Sequence, residues 1–152
     1  MRRRPLFAAL LAAPALLPRG AGAQASRSTT LRVVPETLTT IFDPHFTTSF
    51  TTRDFAYLVY DTLFAVDDRW QPQPQMVERW TKTPEGRDWT FTLREGLAFH
   101  DGTPVTAEDC TASLRRWGAR DSLGTFLMAA TETLEPTDAR SFRLRLSRPF
   151  GL

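Results

Sequence analysis

The sequence predicts an α+β fold. Two observations carry that expectation. Stretches with a period of two come in pairs separated by turn residues, and two stretches with a period near 3.6 stand apart from them. A third observation excludes an alternative: strands and helices do not alternate regularly, so a doubly wound parallel sheet is not indicated. The chain has 152 residues, 41% hydrophobic and 24% charged. That is the composition of a globular domain, or of part of a larger one, and not of a disordered segment.

The formal charge of +2 and a pI near 9.2 would suit an acidic partner. The position of the charges excludes one. Arg2, Arg3, Arg4 and Arg19 fall within the first 23 residues, which carry no acid. The remaining 15 basic residues face 17 acidic ones, so residues 24–152 carry −2. No basic run offers a nucleic-acid face. The leader itself reads as a signal peptide, residues 1–23. Met1–Arg4 is positive, and Leu6–Leu17 is apolar except for Pro14, too short to span about 30 Å of hydrocarbon. Ala21 and Ala23 are the small residues that precede cleavage, with Ala23-Gln24-Ala25 as the alternative site. Arg3-Arg4 ahead of Leu6-Phe7 fits twin-arginine export as well as the general secretory route. Residues 24–30 read as a flexible N-terminus. Export out of the cytoplasm is therefore expected.

Along the remainder, Leu31–Val34 alternates as a short strand stopped by Pro35. Asp43-Pro44-His45 is a turn in an irregular stretch. A helix is predicted from about Thr52 to Phe64, with Phe55, Leu58, Val59, Thr62 and Leu63 as its apolar stripe. Thr51 or Thr52 would cap it, with Asp54 in the first turn. Asp67-Asp68 is a turn, and Gln71–Pro74 is too rich in proline for helix or central strand, hence an extended connector. Glu78–Thr83 and Asp88–Arg94 form a hairpin about Pro84–Arg87, with Trp89, Phe91 and Leu93 on the buried face. Trp80 and Trp117 are also assigned to the core. His100–Pro104 is a tight turn, with Gly102 free to adopt positive φ. A helix from Thr106 to about Trp117 follows, with Thr106 and Asp109 at capping-box spacing and Gly118 as its stop. Arg120–Gly124 reads as loop. Ala129–Leu134 and Ser141–Ser147 form a second hairpin, with Phe142, Leu144 and Leu146 inward.

Catalytic constellations are poor. His45 and His100 each have a neighbouring acid, Asp43 and Asp101, but no metal-ligand spacing accompanies them. They read as turn residues, and neither metal nor cofactor is expected. No strand-turn-helix serine motif supports a hydrolase. Cys110 is the single cysteine, so no internal disulfide is possible. Among apolar helix positions it reads as a buried structural thiol. The one stretch with a recognition character is Thr47–Thr52. Hydroxyls, backbone donors before a helix and an aromatic ring suit a polar ligand, while plain helix capping is the simpler reading. Phe126, after a loop, is the aromatic freest to meet a ligand.

The order of these features is specific where each alone is not. Phe42-Asp43-Pro44-His45 is followed by Tyr60-Asp61-Thr62-Leu63, then Pro72–Trp80, then Trp89–Pro104 with Thr106-Ala107-Glu108-Asp109 after it. This order resembles the family 5 extracytoplasmic solute-binding proteins of ABC importers, which take peptides, dipeptides or nickel. The resemblance spans about Leu31 to Phe150. It implies a type II periplasmic-binding-protein fold that closes on its ligand. Residues 31–152 would form the N-terminal portion of lobe I with a small β-rich subdomain, in a truncated chain, since members of that family are far longer. Exposed apolar surface and no ligand binding by the piece alone are then expected. The resemblance implies a non-enzymatic, monomeric capture protein that hands a peptide or related solute to inner-membrane permease subunits. The alternative is a chaperone-like or receptor-partner protein on the same fold. Thr47, Thr48, Ser49 and Phe50 match the loop that lies along the cleft in peptide binders, and Phe126 is the nearest match to a ligand-facing aromatic. Cys110 stands where the family usually has Val or Phe, which fits an apolar position. The identity of the solute is not encoded in these motifs.

Overall fold

The computed structural model describes residues 32–151. The expected signal peptide, the expected flexible N-terminus (residues 24–30), Leu31 and Leu152 lie outside the described residues. Nine elements follow in order: α1 (Phe50–Val59), β1 (Phe64–Val66), β2 (Pro72–Pro74), β3 (Val77–Lys82), β4 (Asp88–Leu93), α2 (Ala107–Gly118), α3 (Ser122–Ala129), β5 (Thr131–Pro136) and β6 (Ser141–Leu146).

The two predicted hairpins form, and they join. β3 to β6 make one antiparallel sheet in the order β3-β4-β6-β5. The inner strand β6 lies between β5 and β4, so Phe142 faces Phe91 across the ladder, their rings stacked at 5.0 Å. The alternation of β4 and β6 places Leu93, Phe142 and Leu146 out of water. Leu93 and Phe142 share one core with Ala107, Cys110 and Leu134, and Leu114 and Met128 pack against it. The β3–β4 turn has Gly86 at φ +67, the conformation that turn requires.

The capping box of α2 is present: the Thr106 hydroxyl accepts from Asp109 N–H and the Asp109 carboxylate accepts from Thr106 N–H. Gly118 acts differently from the expectation. It is the last residue of α2 and is followed by Ala119 in right-handed geometry, not by a left-handed cap. Its missing side chain makes room for Met128, whose Cγ would lie 2.2 Å from an added Cβ. Gly124 meets the same crossing from α3, where a Cβ would stand 2.9 Å from the Gly118 Cα. Part of the expected Arg120–Gly124 loop is thus helix, capped by Asp121, whose carboxylate accepts from Gly124 N–H at 3.0 Å. The strand expected from Ala129 starts at Thr131.

The region before β3 departs further from expectation. Arg32–Val34 form no strand and are exposed, Val34 at 93%; among the described residues no neighbouring strand supplies their hydrogen bonds. Helix α1 begins at Phe50 and stops at Val59. Residues Thr62–Phe64 are taken by the sheet side instead: Gln75 and Met76 N–H donate to the Leu63 and Thr62 carbonyls, and Thr62 N–H donates to Gln75 Oε1. The predicted stripe therefore fails, with Leu58 63% exposed; Thr52 and Ala56 are the buried positions. Asp54 falls in the second turn. Gln71–Pro74 is extended, as expected, but it pairs as β2 with β1, a ribbon made only of edges where proline costs no inner ladder bond. Trp80 is 44% exposed rather than core, its ring meeting Phe64 edge-on at 5.3 Å. Trp117 is half-buried.

Candidate functional site

The loop ahead of α1 is built on the Asp43-Pro44-His45-Phe46 turn. The Asp43 carboxylate accepts from the His45 N–H at 3.0 Å, and Phe46 N–H donates to the Asp43 carbonyl at 3.1 Å. From the end of α2, Arg116 reaches over and donates to both Asp43 carboxylate oxygens. Its Nη1 also lies 3.2 Å from His45 Nδ1. One turn on, the Arg120 guanidinium sits 5.4 Å from the centre of the Phe46 ring. Two arginines four apart thus grip one turn. The Arg116 hydrogen bond, then the His45 N–H, hold the Asp43 carboxyl below its ordinary value, and Arg116 is raised in return. Burial, then the Arg116 charge, lower the His45 ring; Asp43 opposes them.

This grip fixes where the next residues lie. The Thr47 hydroxyl accepts from Ser49 N–H at 3.2 Å, which closes a small turn. Ser49 is the N-cap residue, yet its side chain pairs with the Thr51 hydroxyl at 3.1 Å instead of capping. Neither Thr51 nor Thr52 caps the helix. Thr52 is buried and its hydroxyl donates to the Ile41 carbonyl at 2.7 Å, which ties α1 back to the loop. Thr48, Ser49 and Phe50 are exposed and Thr47 is half-buried. Phe50 is 68% exposed, with the Arg53 guanidinium over its ring at 4.7 Å. The start of α1 therefore presents backbone N–H groups, a Thr48 hydroxyl without a partner among the described residues and an aromatic ring on one exposed corner.

Phe126 lies on α3, 66% exposed, on the side away from the Gly118–Gly124 crossing. No hydrogen bond or ring contact among the described residues joins it to Thr47–Phe50. Two surface hollows are lined by other residues. One of about 390 Å³ lies between Arg115, Met128 and Thr131–Glu135, the other, about 210 Å³, between Tyr57–Asp61, Ala98 and His100.

The remaining candidates behave as turn and core residues. Asp101 accepts from Thr103 N–H and its hydroxyl, and these bonds lower its carboxyl. Gly102 has φ +87. Burial, aided by Asp109, pushes the Cys110 thiol up to about 11, so it is an inert core group. Among the described residues, no three His, Cys, Asp or Glu side chains gather as a metal site would need. The Arg116–Arg120 grip was not found from sequence; its only signal is two arginines at helical spacing with nothing to say what they face.

The model of the bacterial extracellular solute-binding proteins, family 5 Middle, matches residues 71–152. The chain belongs to this family. A probable peptide ABC transporter periplasmic-binding protein of Sinorhizobium fredii is 43% identical over 155 aligned positions, covering 98% of this chain and 29% of that protein. Among solved structures, Haemophilus influenzae OppA in complex with RPPGFSPFR superposes with a TM-score of 0.65 and 26% identity, over 72% of this chain and 25% of that one. MoaA of A. tumefaciens R10 in complex with mannopinic acid gives 0.63 and 27%, over 72% and 23%. The chain thus spans less than a third of the length of these relatives. The architecture is that of the family's periplasmic binding proteins, and the chain is periplasmic with them. They are binding proteins and not enzymes. Among the described residues, no helix is long and apolar enough to cross a membrane.

Proposed function

We propose that this chain is the extracytoplasmic solute-capturing component of an ABC importer, or the part of one that these residues make up, and that it takes peptides or a related small solute to inner-membrane permease subunits. The observation that carries this reading is the 43% identity, across 98% of the chain, to a protein named as a probable peptide ABC transporter periplasmic-binding protein. Residues 1–23 serve as its export signal, residues 31–152 contribute to the first lobe, and the protein works as a monomer. Thr47, Thr48, Ser49 and Phe50 contact the solute, with Phe126 as a second contact. The free donors at the start of α1 suit a peptide carbonyl or carboxylate, and the Phe50 ring suits an apolar side chain.

Affinity follows from enclosure. Micromolar binding needs about −8 kcal/mol, and a site normally reaches that by burying most of its ligand. The loop described here is open on its outer side, so residues 24–152 alone are expected to bind no peptide measurably by calorimetry. Substituted for the corresponding segment of the Sinorhizobium fredii relative, the same residues are expected to support micromolar peptide binding. Tight binding by residues 24–152 alone, or none by a folded chimera, would count against the reading.

A further inference from the structure

The contact between Arg116 and His45 carries information beyond loop placement. A guanidinium has donors only. The 3.2 Å approach of Nη1 to His45 Nδ1 is therefore a hydrogen bond only while Nδ1 keeps its lone pair, which puts the proton of the neutral ring on Nε2. A doubly protonated ring would set two cations in direct contact. The charged groups that face this ring are Asp43 from its own turn and Arg116 from α2. Tyr60, just past α1, neighbours Arg116, and Arg120 covers the adjoining Phe46.

We propose that Arg116 is a positioning residue for the Thr47–Phe50 loop, and that protonation of His45 releases its hold, making the turn a pH-sensitive latch. The neutral ring accepts from Arg116 and the carboxylate of Asp43 completes the grip. The protonated ring repels Arg116 and competes with it for Asp43. The direction of the effect agrees with the ring's environment. Burial and Arg116 lower the His45 pKa below 6.5, so its contribution to holding the turn is complete above that value and is lost as the pH falls through the lowered one. The consequence for the solute, weaker capture in acid, rests on the proposed role of the loop; the latch itself does not.

Nuclear magnetic resonance on the ¹⁵N-labelled chain without ligand tests the latch. The sequence has two histidines, His45 and His100, and His100→Gln assigns them. At pH 7.5 the His45 ring is expected as the Nε2–H tautomer. Its midpoint should lie below 6.5, and the Thr47–Phe50 amides should shift with that same midpoint. In Arg116→Gln those amides should lose their pH response and stay at the acid-form positions. An Nδ1–H tautomer at pH 7.5 in the unmodified chain would overturn the proposal without any variant, as would loop amides that do not follow the ring. Because no solute is present, that failure would leave the capture reading untouched, and failure of peptide binding would leave the latch untouched.

Discussion

Two regions of the described chain hold their shape by different means. From β3 to β6, with α2 against the sheet and α3 against α2, shape comes from a shared apolar core in which Leu93, Ala107 and Phe142 have no exposure. From Val34 to Asp61, large apolar side chains face outward, among them Val34, Leu38, Phe50 and Leu58. That segment is held by Arg116, by the Thr52 hydroxyl on Ile41, and by the Phe42 ring against Phe55 at 4.6 Å. The first region is a scaffold organised about a buried core. The second is an extended surface held by a few separate anchors, the arrangement expected where a ligand or further protein mass is met.

The contrast sets the order of the mutational effects, each read from urea unfolding. The largest belongs to Phe142→Ala, which empties the centre of the sheet core and should cost about 3–5 kcal/mol. Gly124→Ala comes next. Its Cβ would press on Gly118 backbone rather than on a yielding side chain, so α2 and α3 must separate, at about 1–3 kcal/mol. Thr106→Ala removes the cap of α2 and should cost about 1 kcal/mol. Leu58→Ala, on the exposed segment, should stay within about 0.5 kcal/mol. A Leu58→Ala cost comparable to that of Phe142→Ala would erase the distinction between the regions.

The same division governs what the sequence made legible. Both sheet hairpins, the His100–Pro104 turn and the capping box of α2 depend on residues close in the chain, so period and turn chemistry reveal them. Helix α1 stops short of the end its periodicity predicts because Gln75 and Met76 hold Thr62 and Leu63 from another segment. Helix α3 was hidden because Gly124, a loop residue by propensity, is there for a helix crossing. At the candidate site, the residues Thr47–Phe50 and Phe126 could be chosen by type and by family resemblance. Their support by Arg116 and Arg120 could not, because it joins residues 73 positions apart.

The most direct test of the central claim, that the exposed loop before α1 contacts a captured solute, is peptide titration of the Sinorhizobium fredii chimera carrying residues 24–152, with and without Phe50→Ala. Micromolar binding is expected, weakened by about tenfold or more in the variant, the loss that follows when a ring is removed from a ligand contact, while the urea midpoint stays unchanged. Unaltered affinity in a folded Phe50→Ala chimera would contradict it.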